Sequence, residues 1–205
     1  IESPLSVSET DDAYTIDTGA IRFKVGRRRF AGIEEVVLIG PDGTAGKPIV
    51  SGTGGPFLVD ERDIRYSAAS DPNVSVTIEE AGPVRVTLCA KGWYLSDDGA
   101  EKCCLYTTRI SAYANNPTID VSHSTVITFD TDQKKLRGLG FDVKAAGVEQ
   151  WAMGGDGNPH FGYLPVAAKD KNGKPLPAES VWLHQDRWDH FRLMRGESER
   201  ITTGE

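Results

Sequence analysis

The sequence predicts an all-β domain, barrel-like or sandwich in form, made of antiparallel strands with a long central meander and almost no helix. Three observations carry this. Glycine and proline recur roughly every ten residues with β-branched runs between them, the spacing of short strands and tight turns. Apolar and polar residues alternate along the stretch 82–126, as the pleat of a half-buried strand requires. Apolar residues of helical period never extend beyond about two turns, apart from a short piece near Asp186–Arg192.

Taken in order, the first strands are Ala13–Asp17, Ala20–Val25 and Ile33–Leu38, followed by the turn signal Gly40-Pro41-Asp42-Gly43. Ser51-Gly52-Thr53-Gly54-Gly55-Pro56 reads as a flexible loop or hairpin tip. It is glycine-rich, but no strand-to-helix transition and no Gly-Lys-Ser/Thr follows, so a phosphate-binding loop fails on context. Val74–Glu79 leads into the meander: Val84–Tyr94, Cys103–Tyr113 and Thr118–Phe129. Alternation assigns its faces. Val84, Val86, Leu88 and Ala90 oppose Arg85, Thr87 and Cys89; Tyr106, Thr108, Ile110 and Ala112 oppose Leu105, Thr107, Arg109 and Ser111; Ile119, Val121, His123 and Thr125 oppose Asp120, Ser122, Ser124 and Val126. Leu136–Val143 follows. Phe161–Ala167, Ser180–Asp186 and Phe191–Met194 are weaker runs, with the turn signal Lys171-Asn172-Gly173-Lys174 among them. Residues 196–205 are charged and patternless, which reads as a linker or truncated end after a single domain over residues 1–195.

At 205 residues the chain is long enough to bury a substantial core. A formal net charge of −7 argues against nucleic acid or an anionic membrane surface as partner. Arg27-Arg28-Arg29 is a local basic exception, read as a solvated turn rather than an anion site. No apolar run reaches the length of a membrane-spanning helix. The chain opens on Ile1 without a basic and apolar leader, which leaves a cytoplasmic chain or one whose signal peptide has been removed.

The three cysteines, Cys89, Cys103 and Cys104, form no Cys-x-x-Cys, so zinc is not expected. Neighbours on a strand, Cys103 and Cys104 point to opposite faces on a regular pleat, and a bridge from Cys89 is conceivable. Free, buried thiols are the simpler reading. Gly154-Gly155-Asp156-Gly157-Asn158-Pro159-His160 offers carbonyls and a carboxylate, but the spacing of a calcium loop and its closing glutamate are absent. A divalent cation such as calcium is therefore unsupported, and no cofactor is expected.

No nucleophile elbow, zinc-protease helix or dinucleotide fingerprint occurs. The densest polar and aromatic cluster is Trp182-Leu-His-Gln-Asp-Arg-Trp-Asp-His-Phe191. His184 and His190 beside Asp186 and Asp189 are general acid/base candidates. Trp182 and Trp188 are candidate stacking platforms for sugar rings, and the plainest alternative has these aromatics filling the core edge. His123, alternating with Ile119 and Val121, reads as a hydrogen-bonded core or interlayer histidine. Arg85 and Arg109, on neighbouring strands near Asp120, suit a cross-strand ion-pair ladder or capture of a substrate carboxylate, the ladder being favoured.

The order Ile16-Asp17-Thr18-Gly19-Ala20-Ile21-Arg22-Phe23, Glu80-Ala81-Gly82-Pro83-Val84-Arg85, Gly92-Trp93-Tyr94, Tyr106-Thr107-Thr108-Arg109-Ile110, Tyr113-Ala114-Asn115-Asn116-Pro117 and Val121-Ser122-His123-Ser124 resembles the exo-acting rhamnogalacturonan lyase family of polysaccharide lyases. The likeness covers roughly Tyr14 to Asp130, with a fainter continuation to Phe191. It implies an N-terminal barrel of the RIFT type in a larger protein, secreted or periplasmic, whose catalytic domain is a following helical toroid. The parent's chemistry would be β-elimination at a uronate. No catalytic residue of the family falls on a position of this sequence. The resemblance therefore implies a non-catalytic domain with a polysaccharide and the parent's catalytic domain as partners. A stand-alone carbohydrate-binding module and a purely structural domain are the alternatives.

Overall fold

The computed structural model describes residues 3–52, 54–148, 150–153, 160–163, 181–187, 190–195 and 199–204. The chain divides into two compact units, Ile1–Ala146 and Gly147–Glu205.

The first unit holds two antiparallel sheets. Five strands, β1 (Ser6–Glu9), β2 (Ala13–Asp17), β3 (Ile21–Gly26), β4 (Glu35–Ile39) and β5 (Ala45–Ser51), lie side by side in sequence order. The second sheet contains β6 (Gly55–Asp60), β7 (Arg65–Ser67), β8 (Ser75–Ala81), β9 (Arg85–Ser96), β10 (Lys102–Tyr113), β11 (Ile119–Val126) and β12 (Leu136–Asp142), ordered β11-β10-β9-β7-β6-β12 with β8 also on β9. The all-β prediction holds, and the only helical piece among the described residues is a single 3-10 turn at Ala68–Ser70. The turn at Gly40–Gly43 connects β4 to β5, closed by a hydrogen bond from the Gly43 amide to the Gly40 carbonyl. At the start of β6, Gly55 has φ +90°, and a Cβ there would lie 2.7 Å from the Ala31 carbonyl carbon. Glycine is what lets these two backbones pass so closely.

The meander's alternation decides which face is buried. Val86, Leu88 and Ala90 of β9 and Tyr106, Thr108, Ile110 and Ala112 of β10 all point inward. They meet Ile16, Ile21, Phe23 and Val25 of the other sheet, so the two sheets share one core. Each such large apolar side chain contributes about 1.5–3 kcal/mol by leaving water. Rings run through this core from Phe30 to Tyr106 (centroids 5.8 Å apart), on to His123 (6.1 Å) and then Phe141 (6.1 Å). His123 lies on β11 and Phe141 on β12, the two ends of the second sheet, so that sheet curls until its unpaired edges face each other through side chains. This is the half-closed form between sandwich and barrel.

β9 is the organising strand. One of its edges pairs with β10 throughout. Its other edge pairs with β8 from Val86 to Lys91 and with β7 at Leu95 and Ser96. Between these partners the Trp93 amide has no strand to bond to, and it donates to the Asp71 carboxylate at 2.8 Å. A side chain thus completes the ladder where the backbone cannot.

Cys103 and Cys104 depart from the regular pleat. A bulge between Cys103 and Leu105 puts Cys104 at φ +52°, so both thiols turn into the interior with sulfurs 3.6 Å apart. Cys89 stands opposite Arg109, away from both, and all three are free and buried.

In the second unit, β13 (Gln150–Met153) pairs with β14 (His160–Tyr163), and β15 (Val181–Arg187), β16 (His190–Arg195) and β17 (Glu199–Gly204) form a three-stranded sheet. The short helix expected near Asp186–Arg192 is replaced by strand ends, because the pairing Arg187↔His190 keeps the backbone extended. Glu199–Gly204, read from sequence as part of a connection, is a strand on β16; its Ile201-Thr202-Thr203 run has the β-branched composition that suits this.

Candidate functional site

Arg109 sits on the outer face of β10. Its guanidinium donates to both oxygens of Glu79, through Nε at 2.6 Å and Nη2 at 2.9 Å. Arg85 on β9 pairs with Glu80. The ion-pair ladder is therefore present, but its acids come from β8 rather than from Asp120. The register Thr77↔Cys89↔Arg109, with a bulge between Ile78 and Glu80, brings Glu79 alongside. These four residues, with Thr87 and Ser111 hydrogen-bonded to each other at 2.9 Å, line a shallow cleft of about 400 Å³. The Arg109 hydrogen bonds hold Glu79 below the ordinary carboxylate range. Both arginines are committed to protein carboxylates, so capture of a substrate carboxylate here would require breaking a bidentate pair. In the basic run Arg27-Arg28-Arg29, Arg27 pairs with Glu9 and Arg28 with Asp11 and Asp12, while Arg29 donates to the Ala69 carbonyl at 3.1 Å.

Of the other candidates, Trp182 and His184 lie on β15, where they pair with Met194 and Arg192, and His190 opens β16. Trp188, the calcium-like turn Gly154–Pro159 and Lys171–Lys174 fall outside the described residues, as do the side chains of Trp182, His184 and His190.

His123 is an interlayer histidine, as its alternation predicts. Its Nε2 lies 2.6 Å from the Tyr94 hydroxyl and its Nδ1 2.7 Å from the Thr108 hydroxyl, one ring nitrogen donating and the other accepting. Burial lowers its pKa below the ordinary histidine value and raises that of Tyr94 to about 12, so both are neutral near pH 7. The cluster is self-satisfied and inward, which suits a structural role.

A second polar cluster joins the β6–β7 turn, the β9–β10 hairpin and the loop before β12. The buried Asp60 carboxylate accepts from Arg62 Nε (3.1 Å) and Nη2 (2.9 Å), from the Tyr66 hydroxyl (3.0 Å) and from the Arg62 and Ile64 amides (2.9 and 3.0 Å). Arg62 also reaches Glu101 at 2.6 Å, and Lys134 Nζ stands 3.7 Å from Asp60. Burial alone would raise the Asp60 pKa, but these donors outweigh it and hold it at about 2. Two acids and two bases cancel, and the cluster fastens three loops.

The third site is different in kind. On the outer face of the β9–β10 hairpin, Trp93 stands opposite Leu105, with the row Leu95/Lys102 on one side and Lys91/Thr107 on the other. With Asp71, Asn73 and Gly92, all of these except Thr107 line a groove of about 470 Å³. The indole is half-buried, and the Lys102 ammonium lies 4.5 Å from its centroid. Among the described residues neither Lys91 nor Lys102 makes an ion pair, whereas most of the arginines do. Gly92 shapes the wall: a Cβ there would stand 2.5 Å from Asp71 Oδ2 and 2.9 Å from the Tyr106 hydroxyl. In the sequence, Gly92-Trp93-Tyr94 is a motif of the meander and of the family resemblance, and no binding role is read from it. The available signal was parity, since Tyr94 on the core face places Trp93 outside, between two lysines. Among the described residues, no group of three His, Cys, Asp or Glu side chains is placed to hold a metal ion.

No curated protein matches the chain. A family model does, over residues 5–150; it describes a central β sandwich and says nothing of an N-terminal RIFT barrel. That span contains both sheets, the curled meander and the Trp93 groove, and the chain belongs to the family of the PcRGLX-like protein central beta sandwich domain, an exo-rhamnogalacturonan lyase-type domain.

Proposed function

We propose that this chain is a non-catalytic β-sandwich domain of a secreted polysaccharide lyase that cleaves uronate-containing, rhamnogalacturonan-type glycans by β-elimination. The observation that carries the reading is the family match over residues 5–150 to a domain described as central, a description that supports a place within a longer protein. In such a lyase a base removes the proton on the carbon beside the uronate carboxylate while a cation neutralises that carboxylate. The polar clusters of the first unit suit support rather than this chemistry: His123 is bonded at both nitrogens, and Asp60 and Glu79 are tied to arginines. Exposed aliphatics on and beside the edge strands β11 and β12, with Val126 56% and Leu139 62% accessible, suit packing against the parent's catalytic domain.

The test is absorbance near 235 nm, where unsaturated uronates absorb, during incubation with rhamnogalacturonan. The full-length parent is expected to raise it and this chain alone to leave it flat. A rise that scales with the concentration of this chain would refute the non-catalytic role, and a flat trace from the parent would refute the lyase reading.

A further inference from the structure

We infer that the Trp93 groove binds an acidic sugar residue, the pyranose lying on the indole and its carboxylate held by Lys91 or Lys102. The inference rests on the proposed uronate-containing glycan as ligand and adds the place where this domain would hold it.

Lys91, Trp93 and Leu95 are alternate residues of β9 and so share its outer face, spaced by about 6–7 Å. Lys102, paired with Leu95, and Leu105, paired with Trp93, complete the surface from β10. An aromatic face bordered by two aliphatic side chains is therefore bracketed by ammonium groups along the strand. Aromatic faces receive the apolar C–H face of a pyranose, and cations at that range select a sugar bearing a carboxylate.

Charge makes the site stand out. The chain carries a net −7, and its outer-face arginines are matched to carboxylates, as Arg85 and Arg109 are. The groove's lone carboxylate, Asp71, is 4% exposed and occupied by the Trp93 and Asn73 amides. The cationic balance thus faces outward over the indole. Lys102 rests on the ring, but an exposed cation–π contact is weaker than a charge-assisted hydrogen bond, so its ammonium exchanges the ring for a carboxylate as the sugar arrives. The geometry also fixes the wall behind the sugar. Asp71 is immobilised because it completes the β9 ladder, and Gly92 keeps the strand bare beside it. A polyanion of the nucleic-acid type fits less well, because the chain's net charge of −7 would repel a long phosphate chain.

The test is calorimetric titration of this chain with a rhamnogalacturonan tetrasaccharide and with the same oligosaccharide reduced at its carboxyl groups. The Trp93 indole N–H is followed in parallel by NMR and assigned with Trp93→Phe. The expected result is binding of the acidic form, weaker binding of the reduced one, and a shift of the Trp93 resonance. Lys91→Gln and Lys102→Gln, both at exposed positions, are expected each to weaken binding about fivefold and to flatten its salt dependence. Unchanged affinity in both lysine variants, or no binding by the wild-type chain, overturns the groove. Lyase activity of the full-length parent is read separately, so the groove can fail while the lyase reading stands, and the reverse.

Discussion

Replacing Asp60 with asparagine tests the polar cluster that fastens the loops of the second sheet. The substitution keeps the shape and removes the charge. The carboxylate, fully buried, accepts from Arg62, Tyr66 and two backbone amides, and its pKa is about 2 against an ordinary 3.8. A carboxyl group whose pKa is depressed by folding contributes stability that is complete above the unfolded value and is lost as pH falls through the folded one. The separation corresponds to about 2 kcal/mol at pH 7, of which about half remains near pH 3. Removing one member of a fully buried ion pair costs about 3–5 kcal/mol, but the Arg62 side chain is 48% exposed and water takes up part of its lost partner. Asp60→Asn is therefore expected to lower the unfolding free energy by about 2–3 kcal/mol at pH 7 and by about 1 kcal/mol near pH 3. Urea denaturation of both proteins at the two pH values measures this through the midpoint at constant slope. A difference that stays the same at both pH values would refute the argument, because the loss would then come from shape and not from charge.

Tyr94→Phe removes the shorter contact of His123 Nε2, at 2.6 Å, and leaves it the Thr125 hydroxyl at 3.3 Å, so it should destabilise the domain by about 1 kcal/mol in the same denaturation experiment. Because burial lowers the His123 pKa, the unfolded chain takes up a proton first, so wild-type stability should also decline as pH falls below the ordinary histidine value of 6.5, and His123→Gln should remove that part of the decline. Gly92→Ala would press a methyl group against Asp71 and the Tyr106 hydroxyl, with an expected loss of about 1–3 kcal/mol, read as a lower melting temperature. Arg109→Ala should leave the melting temperature nearly unchanged, since the Arg109–Glu79 pair is solvent-exposed, and a double-mutant cycle with Glu79→Ala should give a coupling that shrinks in high salt.

What the sequence made legible follows from how completely each strand is buried on one side. β9 and β10 have one face in the core, so Val86, Leu88, Ala90 and Tyr106, Thr108, Ile110, Ala112 announce both the strands and their orientation. β5 runs mostly exposed around Pro48, and β7 has only three residues, so neither displays a period to read. These strands form because a neighbour offers a hydrogen-bonding edge. The same limit governs the polar contacts. That Arg109 carries an ion pair is legible from its parity; that Glu79 and not Asp120 answers it depends on a bulge in β8, which displaces register without leaving a mark in hydrophobic pattern. The opposite faces expected for Cys103 and Cys104 fail for the same reason, two strands over.

The Trp93 groove shows where such unreadable features become useful. A sheet edge with one continuous partner would bury the Trp93 amide in a ladder and leave no gap beside it. Because β9 changes partner from β8 to β7, a side chain must fill the gap, and Asp71 is drawn there by the free amide. That carboxylate is fixed by hydrogen bonds on both oxygens, and Gly92 must stay bare to admit it. The irregularity that satisfies the backbone thus builds one wall of the groove, and the regular alternation of β9 and β10 supplies the indole and the two lysines over it. Architecture and candidate site are consequences of one event, the division of a single strand edge between two neighbours.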